Sequence, residues 1–332
     1  MKKSYYCEQL EDTLHFLPDR VKFCCSCTEG IGLKIDDFSK FSQEEVIKKR
    51  EEYTEQLNKG EIPSGCKGCF ELKEKIEKTN SLQDKIKSFF GKNKKQGMIS
   101  HIIIDHFKQC DCKCIYCAQM QIYQEETQKY EVLPIIRQLY KTGLLDTQDM
   151  FVEFQGGNIS LLKEFDELLK EFQEHGCKKY LVLSNAIKYI PSLESLDQNA
   201  TMTVSLDSGT KETYKKIKSA DAFDKVINNL TELKNKTDIK IKLKYIIIKG
   251  INDNKDEVKK FLDTALIIGK DVATCFDIDY RDTFMSPGVH FEVPKHYYEL
   301  FDFAEQYSNE HGIIYSINTD ITKTVLEKGY TD

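Results

Sequence analysis

No apolar run in this chain is long enough to cross a bilayer; the longest, around Ile102 and Ile246, have strand length. The first residues are polar and charged, so no secretory leader is read there. Positive charge is not in excess. Lys and Arg number 48 against 54 Asp and Glu, a net charge of −6, which leaves no electrostatic footprint for nucleic acid. Internal repeats and long low-complexity segments are missing too. These absences argue against a membrane or nucleic-acid partner and imply a cytoplasmic chain. Its 332 residues suffice for one large or two modest domains.

What the chain has is cysteine, twelve in all. The cytoplasm keeps thiols reduced, so this number points to metal rather than disulfides. Six lie before residue 70, four lie in CDCKCIYC (Cys110 to Cys117), and Cys177 and Cys275 stand alone as expected core residues. Within the central stretch Cys110, Cys114 and Cys117 have C-x3-C-x2-C spacing, with Tyr116 directly before the last. Three thiolates on one loop can each bind one iron of a cubane cluster, leaving the fourth iron open for chemistry. A zinc knot or a crowded thiol loop is the alternative. Cys112 is read as a bystander. The preceding MISHIIIDHF is apolar and β-rich, so the loop leaves a strand end, where ligand sites of parallel α/β folds lie.

Spacing and aromatic together resemble the radical S-adenosylmethionine (SAM) family, over roughly residues 98 to 280. The resemblance implies a 4Fe–4S cluster on Cys110, Cys114 and Cys117, with SAM chelated to the open iron. It further implies reductive cleavage of SAM to methionine and a 5'-deoxyadenosyl radical, which takes a hydrogen atom from substrate. Gly156-Gly157-Asn158 is similar to the family's Gly-Gly-Glu motif, which binds the SAM amino group; Asn158 offers an acceptor but no charge. Ser184-Asn185 stands where the family often has Thr-Asn-Gly or Ser-Asn-Gly. Ser205-Leu206-Asp207 resembles the Ser-(Ile/Leu)-Asp of peptide-modifying members. On a strand Ser205 and Asp207 would share one face, lining a cavity, although Asp207 is also a candidate cap for the next helix. Lys218 stands where relatives often put an arginine that pairs with the SAM carboxylate.

Along the chain, residues 1–70 are expected to form a small cysteine-rich domain containing the helix Gln43 to Lys59. Cys7, Cys24, Cys66 and Cys69, with Cys25 able to replace Cys24, are the chosen ligands of an auxiliary 4Fe–4S cluster. A zinc ribbon on Cys24, Cys27, Cys66 and Cys69 is the alternative. Such clusters resemble those of SPASM and twitch enzymes, where they usually follow the barrel. Residues 71–97, with eight lysines against four acids, read as a solvated linker helix. From Met98, strands IIIDHF, MFVEFQ, YLVLSN, TMTVSLD, IKLKYIII and ATCFDIDY alternate with helices, which implies a parallel sheet. Pro134 suits a helix start; Gly143, Gly176 and Gly269 suit helix ends; Ser160 is a candidate cap for LLKEFDELLKEFQEH.

The expected fold is therefore α/β: a partial (β/α)6 TIM-like barrel over 98–290, preceded by the cysteine-rich domain. A helix and short strand (IIYSIN) follow over 291–332. The sixth strand puts Cys275, Asp277 and Asp279 on one face as candidate catalytic residues, the acids as proton acceptors and the thiol as a hydrogen donor. His101 and His106 are given core or loop roles. The expected function is a radical SAM enzyme acting on a peptide, sugar or other small molecule, served by an electron donor such as flavodoxin or ferredoxin. A zinc-stabilised adaptor without redox chemistry is the other reading.

Overall fold

The computed structural model describes residues 3–24, 31–35, 37–67, 69, 71–75, 98–117, 128–279 and 294–317. The chain divides into two compact units.

The first unit comprises Met1–Phe107, Gln128–Glu153 and Glu167–Cys177. Strand β1 (Tyr5–Tyr6) pairs antiparallel with β5 (Lys73–Glu74), so the lysine-rich segment opens as an extended strand. The rest of that expected helix, 76–97, lies outside the described residues. Helix α1 (Glu8–Asp12) leads into β2 (Thr13–Phe16), which continues into β3 (Arg20–Lys22) and β4 (Gly32–Lys34), both added antiparallel. On its other side β2 pairs in parallel with β6 (His101–Ile104), Thr13 opposite His101. Every residue of β2 is buried, as are the three isoleucines of β6, as expected of strands covered on both faces. Strand β7 (Phe151–Phe154) follows β6 in the sheet order. A strand of the cysteine-rich segment thus lies beside β6 in one sheet. Helix α2 (Gln43–Asn58) starts where Ser42 accepts from the Glu45 N–H and ends before Gly60 in left-handed backbone. It sends the buried Arg50 guanidinium to the Thr13 carbonyl at 3.0 Å. Helix α3 (Leu133–Lys141) carries Pro134 in its first turn and ends before Gly143, again left-handed.

The second unit comprises Lys108–Thr127, Phe154–Asp166 and Lys178–Asp332. Its strands β8 (Lys179–Ser184), β9 (Ala200–Ser205), β10 (Lys240–Ile247), β11 (Ala273–Ile278) and β12 (Ile314–Ile317) are neighbours in chain order, and each adjacent pair is parallel. Parallel neighbours need crossovers. These are supplied by α5 (Lys211–Lys218) with α6 (Phe223–Lys236), by α7 (Lys255–Ile268) and by α8 (Lys295–His311). Helix α4 (Phe165–Glu174) lies between β7 and β8 in the chain. It begins later than LLKEFDELLKEFQEH suggests, because Ser160 sits in a short 3-10 turn and accepts from Asn158 instead of capping the helix. Threonine 210 caps α5 and Asn254 caps α7 through their side-chain oxygens. One face of this sheet is sealed by rings, with Tyr245 against Phe261 at 4.7 Å and Phe276 against Phe261 at 5.6 Å. Each such buried ring contributes roughly 1.5–3 kcal/mol. The other face is only half-buried and carries Thr201, Thr203 and Ser205 on β9 with Lys242 and Lys244 on β10.

Candidate active site

The cysteine loop follows β6 and docks onto the turns that end the next strands. After β7, Gly156 takes a left-handed φ of 104°. Gly157 then lies flat against the loop: a Cβ there would sit 1.9 Å from the Gln109 carbonyl oxygen. That proximity lets the Asn158 N–H donate to the same carbonyl at 2.7 Å. The adjacent glycines therefore serve a close approach of backbone to backbone.

Asp111, inside the loop, ties it to both strand ends. Its Oδ1 accepts from Asn158 Nδ2 at 2.9 Å and from Asn185 Nδ2 at 2.5 Å. Asn158 is almost fully buried. Its amide also donates to Ser160 Oγ, and its Oδ1 accepts from Ser184 Oγ at 3.0 Å. The side chain in the family's glutamate position thus braces the loop. Asn185 Nδ2 further donates to Cys112 Sγ at 3.3 Å. Nothing in the spacing singled out Asp111, because its partners come from turns far along the chain.

The loop's other edge docks on the end of α5. The Lys113 and Ile115 N–H groups donate to the Lys218 and Ile217 carbonyls, each at 3.0 Å, satisfying carbonyls a helix C-terminus leaves open. Tyr116 donates its hydroxyl to Asp207 Oδ2 at 2.5 Å and accepts from Lys218 Nζ at 2.6 Å. Lys218 also forms an ion pair with Asp207, and both side chains are essentially inaccessible. Two expectations are corrected. Strand β9 ends at Ser205, and Asp207 turns into left-handed backbone at φ 58°, so the pair does not share a strand face. Asp207 instead accepts from the Ile246 N–H at 2.8 Å, Tyr116 and Lys218, and does not cap α5. Lys218 has Asp207 as its ion-pair partner. Ser205 stays on the half-buried face.

Cys112 is buried between the flanking thiols, while Cys110, Cys114 and Cys117 are partly exposed. A hydrogen bond from the Cys112 thiol pulls Cys110 down from the ordinary thiol range. The same donor, helped by the Lys218 cation and opposed by burial, brings Cys114 down to about 7. Cys112 itself is pushed up, because its single S–H is held between the two neighbouring sulfurs and it is buried. Among the described residues no three His, Cys, Asp or Glu side chains are already arranged to hold a metal ion. The fit to a cluster rests on donor chemistry: three thiols on one loop, two of them drawn toward the thiolate that iron requires.

On the half-buried sheet face, Lys244 Nζ pairs with Asp277 Oδ2 at 2.9 Å. Lys244 lies in register with both Ser205 and Cys275. The alternation in IKLKYIII places this lysine on the same face as Lys242, although no motif marks it. Cys275 is buried and Asp279 half-buried; Tyr280 and Arg281 lie outside the described residues. His101 bonds Glu153 at 2.7 Å, a structural pairing in the first unit. In that unit Cys7, Cys24 and Cys66 are buried and Cys69 half-buried. Burial, with the nearby Cys24, Cys7 and Cys69, pushes the Cys66 thiol up to about 11. The four chosen thiols are thus electrostatic neighbours, whereas Cys25 and Cys27 lie outside the described residues.

Residues 104–265 match the family model of the radical SAM superfamily. Among curated proteins, the GTPase Obg of Brachyspira hyodysenteriae is 30% identical over 189 residues, 52% of this chain and 27% of that protein. The GTP 3',8-cyclase of Clostridium botulinum is 23% identical over 233 residues, 69% of each. Streptococcus suis SuiB bound to its precursor peptide SuiA is similar in structure, with TM-score 0.54 and 14% identity, over 85% of this chain and 65% of that one. The chain thus spans under two thirds of Obg and of SuiB. At that identity the structural likeness carries the fold alone, an α/β fold of the partial-barrel radical SAM type. The matched residues include the whole cysteine loop and the turns that hold it, and residues 104–265 are a radical SAM domain.

Proposed function

We propose that the chain is a radical SAM enzyme that takes a hydrogen atom from a small-molecule or peptide substrate, with a second metal centre in its first unit. The carrying observation is the docked cysteine loop, whose Cys114 thiol is drawn down to about 7. When bound, the 4Fe–4S cluster and SAM supply the 5'-deoxyadenosyl radical. The chain's own residues do the rest. Cys110, Cys114 and Cys117 hold the cluster, and Gly156, Gly157 and Asn158 fix the loop against β7. Asn185 and Ser184 hold Asp111 and Asn158 in turn. Ser205, with its hydroxyl on the half-buried face, faces SAM or substrate. Lys244 and Asp277 present a cation and an anion on that same face, suited to orient a polar substrate and to take up a proton. Cys275 and Asp279 are lesser candidates.

The second centre rests on Cys7, Cys24, Cys66 and Cys69, thiols that influence one another electrostatically and would serve as donors to an auxiliary 4Fe–4S cluster, with a zinc ion as the alternative. A low-potential donor such as flavodoxin or ferredoxin would deliver the electron. The similarity to a GTP 3',8-cyclase and to peptide-bound SuiB marks the two substrate classes to assay. Anaerobic metal analysis with a SAM-cleavage assay is the test. Roughly eight irons and eight sulfides with 5'-deoxyadenosine formed support two clusters; about four irons and one zinc retain the enzyme and change the second centre. Zinc alone, without 5'-deoxyadenosine after reconstitution, defeats the reading.

A further inference from the structure

We infer that Lys218 is a positioning residue for the cluster loop, a buried cation that raises the reduction potential of whatever iron cluster Cys114 and its neighbours hold. The inference rests on the radical SAM reading of that loop.

Three observations carry it. First, the Lys218 side chain is 2% exposed. Burying an ammonium costs several kcal/mol unless it is paired and hydrogen-bonded. Asp207, fully buried, and the Tyr116 hydroxyl meet that demand. Well-packed apolar groups would give as much stability without a charge, so stability alone does not account for the cation.

Second, the pair is held rigidly from outside the loop. Asp207 keeps left-handed backbone at φ 58°, a conformation that non-glycine residues seldom adopt. Its second oxygen is bound by the Ile246 N–H, and its carbonyl accepts from Asn252 Nδ2 at 2.8 Å. Asn252 is itself buried and also donates to the Ile246 carbonyl.

Third, the cation is coupled to the cysteines. Tyr116, which it touches, directly precedes Cys117, and the Lys218 carbonyl accepts from Lys113, directly before Cys114. The surroundings are apolar: Ile217, Ile246 and Ile248, flanked by Ile115 and Ile251. In such a setting the field of a fixed charge is weakly screened. One-electron reduction, with dithionite as donor, adds negative charge to the cluster. Lys218 offsets the opposing charge of Asp207, which also acts on Cys114, so with the cation in place the reduced form is favoured relative to a chain in which the carboxylate acts alone.

The test is a dithionite titration of the reduced-cluster EPR signal on the full reconstituted chain, with iron content, melting temperature and SAM binding measured alongside. Lys218→Gln keeps a donor for Asp207 and removes the charge; its midpoint potential is expected below wild type. Lys218→Arg keeps the charge and is expected to restore it. An unchanged midpoint with weakened SAM binding overturns the inference, because Lys218 is then a SAM ligand. If the Gln variant holds no iron, Lys218→Met repeats the loss of charge. Failure of both neutral variants to hold iron at wild-type melting temperature also overturns it, since the charge then serves assembly. Absence of iron from the wild type would instead defeat the radical SAM reading.

Discussion

At Gly157 one atom decides whether the cysteine loop docks. A methyl group there meets backbone, not a flexible side chain, so the clash with Gln109 is relieved only by moving the loop. Gly157→Ala is expected to lose most of the iron bound by the loop while the chain stays folded; iron analysis beside circular dichroism checks it. Ala186 shows the opposite case. It sits in left-handed backbone at φ 56°, directly after Asn185. That conformation costs alanine about 1–2 kcal/mol, and glycine adds roughly 0.5–1 kcal/mol of chain entropy. Relief exceeds entropy, so Ala186→Gly is expected to stabilise by about 0.5–1 kcal/mol, read by urea unfolding. Cys114 gives a pH prediction. Its thiol is held near 7, so thiolate is present above that pH and lost as pH falls through it. In metal-free protein, alkylation of Cys114 should be half-maximal near pH 7, while Cys112, pushed up, stays unreactive there.

Elements were legible where pattern and burial agree. The three consecutive isoleucines of β6 and the alternating β8 and β9 announce strands, because both follow from how a parallel sheet is covered. The line Cys110, Gly156-Gly157, Ser184-Asn185, Ser205 was legible as well, since each sits at or just beyond a strand end. What failed was direction. Period two holds only inside a strand, and β9 stops two residues before Asp207. Strand β2 was missed because its partner β6 lies 88 residues along the chain, Thr13 opposite His101. Lys244 was missed although IKLKYIII alternates visibly. Its pairing with Asp277 predicts a coupling. Lys244→Ala leaves a carboxylate of 5% exposure without its cation, expected to cost about 3 kcal/mol. Adding Asp277→Asn should recover part of that loss, because the second change removes the charge that Lys244 balances. Equal instability of the single and double variants would mean that the lysine stem, not its charge, is what β10 needs.

At the scale of the molecule the candidate metal-binding thiols among the described residues fall in two sets, in different compact units. Cys7, Cys24, Cys66 and Cys69 lie in the first, and Cys110, Cys114 and Cys117 lie in the second. The sequence already groups these cysteines by position and spacing; the fold adds that the two sets belong to different compact units. The separation predicts independence. Replacing Cys110, Cys114 and Cys117 by Ala should remove about four irons and all 5'-deoxyadenosine formation, and leave the metal of the first set in place. Replacing Cys66 and Cys69 should remove the other metal, either about four irons or one zinc, and leave the remaining iron and its reduced EPR signal intact. Because Cys66 is buried and its neighbours are thiols, its loss also strips a packed ligand from the first unit, so the melting temperature of that variant should fall even in metal-free protein. A drop in both iron pools after either replacement would mean that the two centres assemble together, and the division into units would not describe how the chain takes up metal.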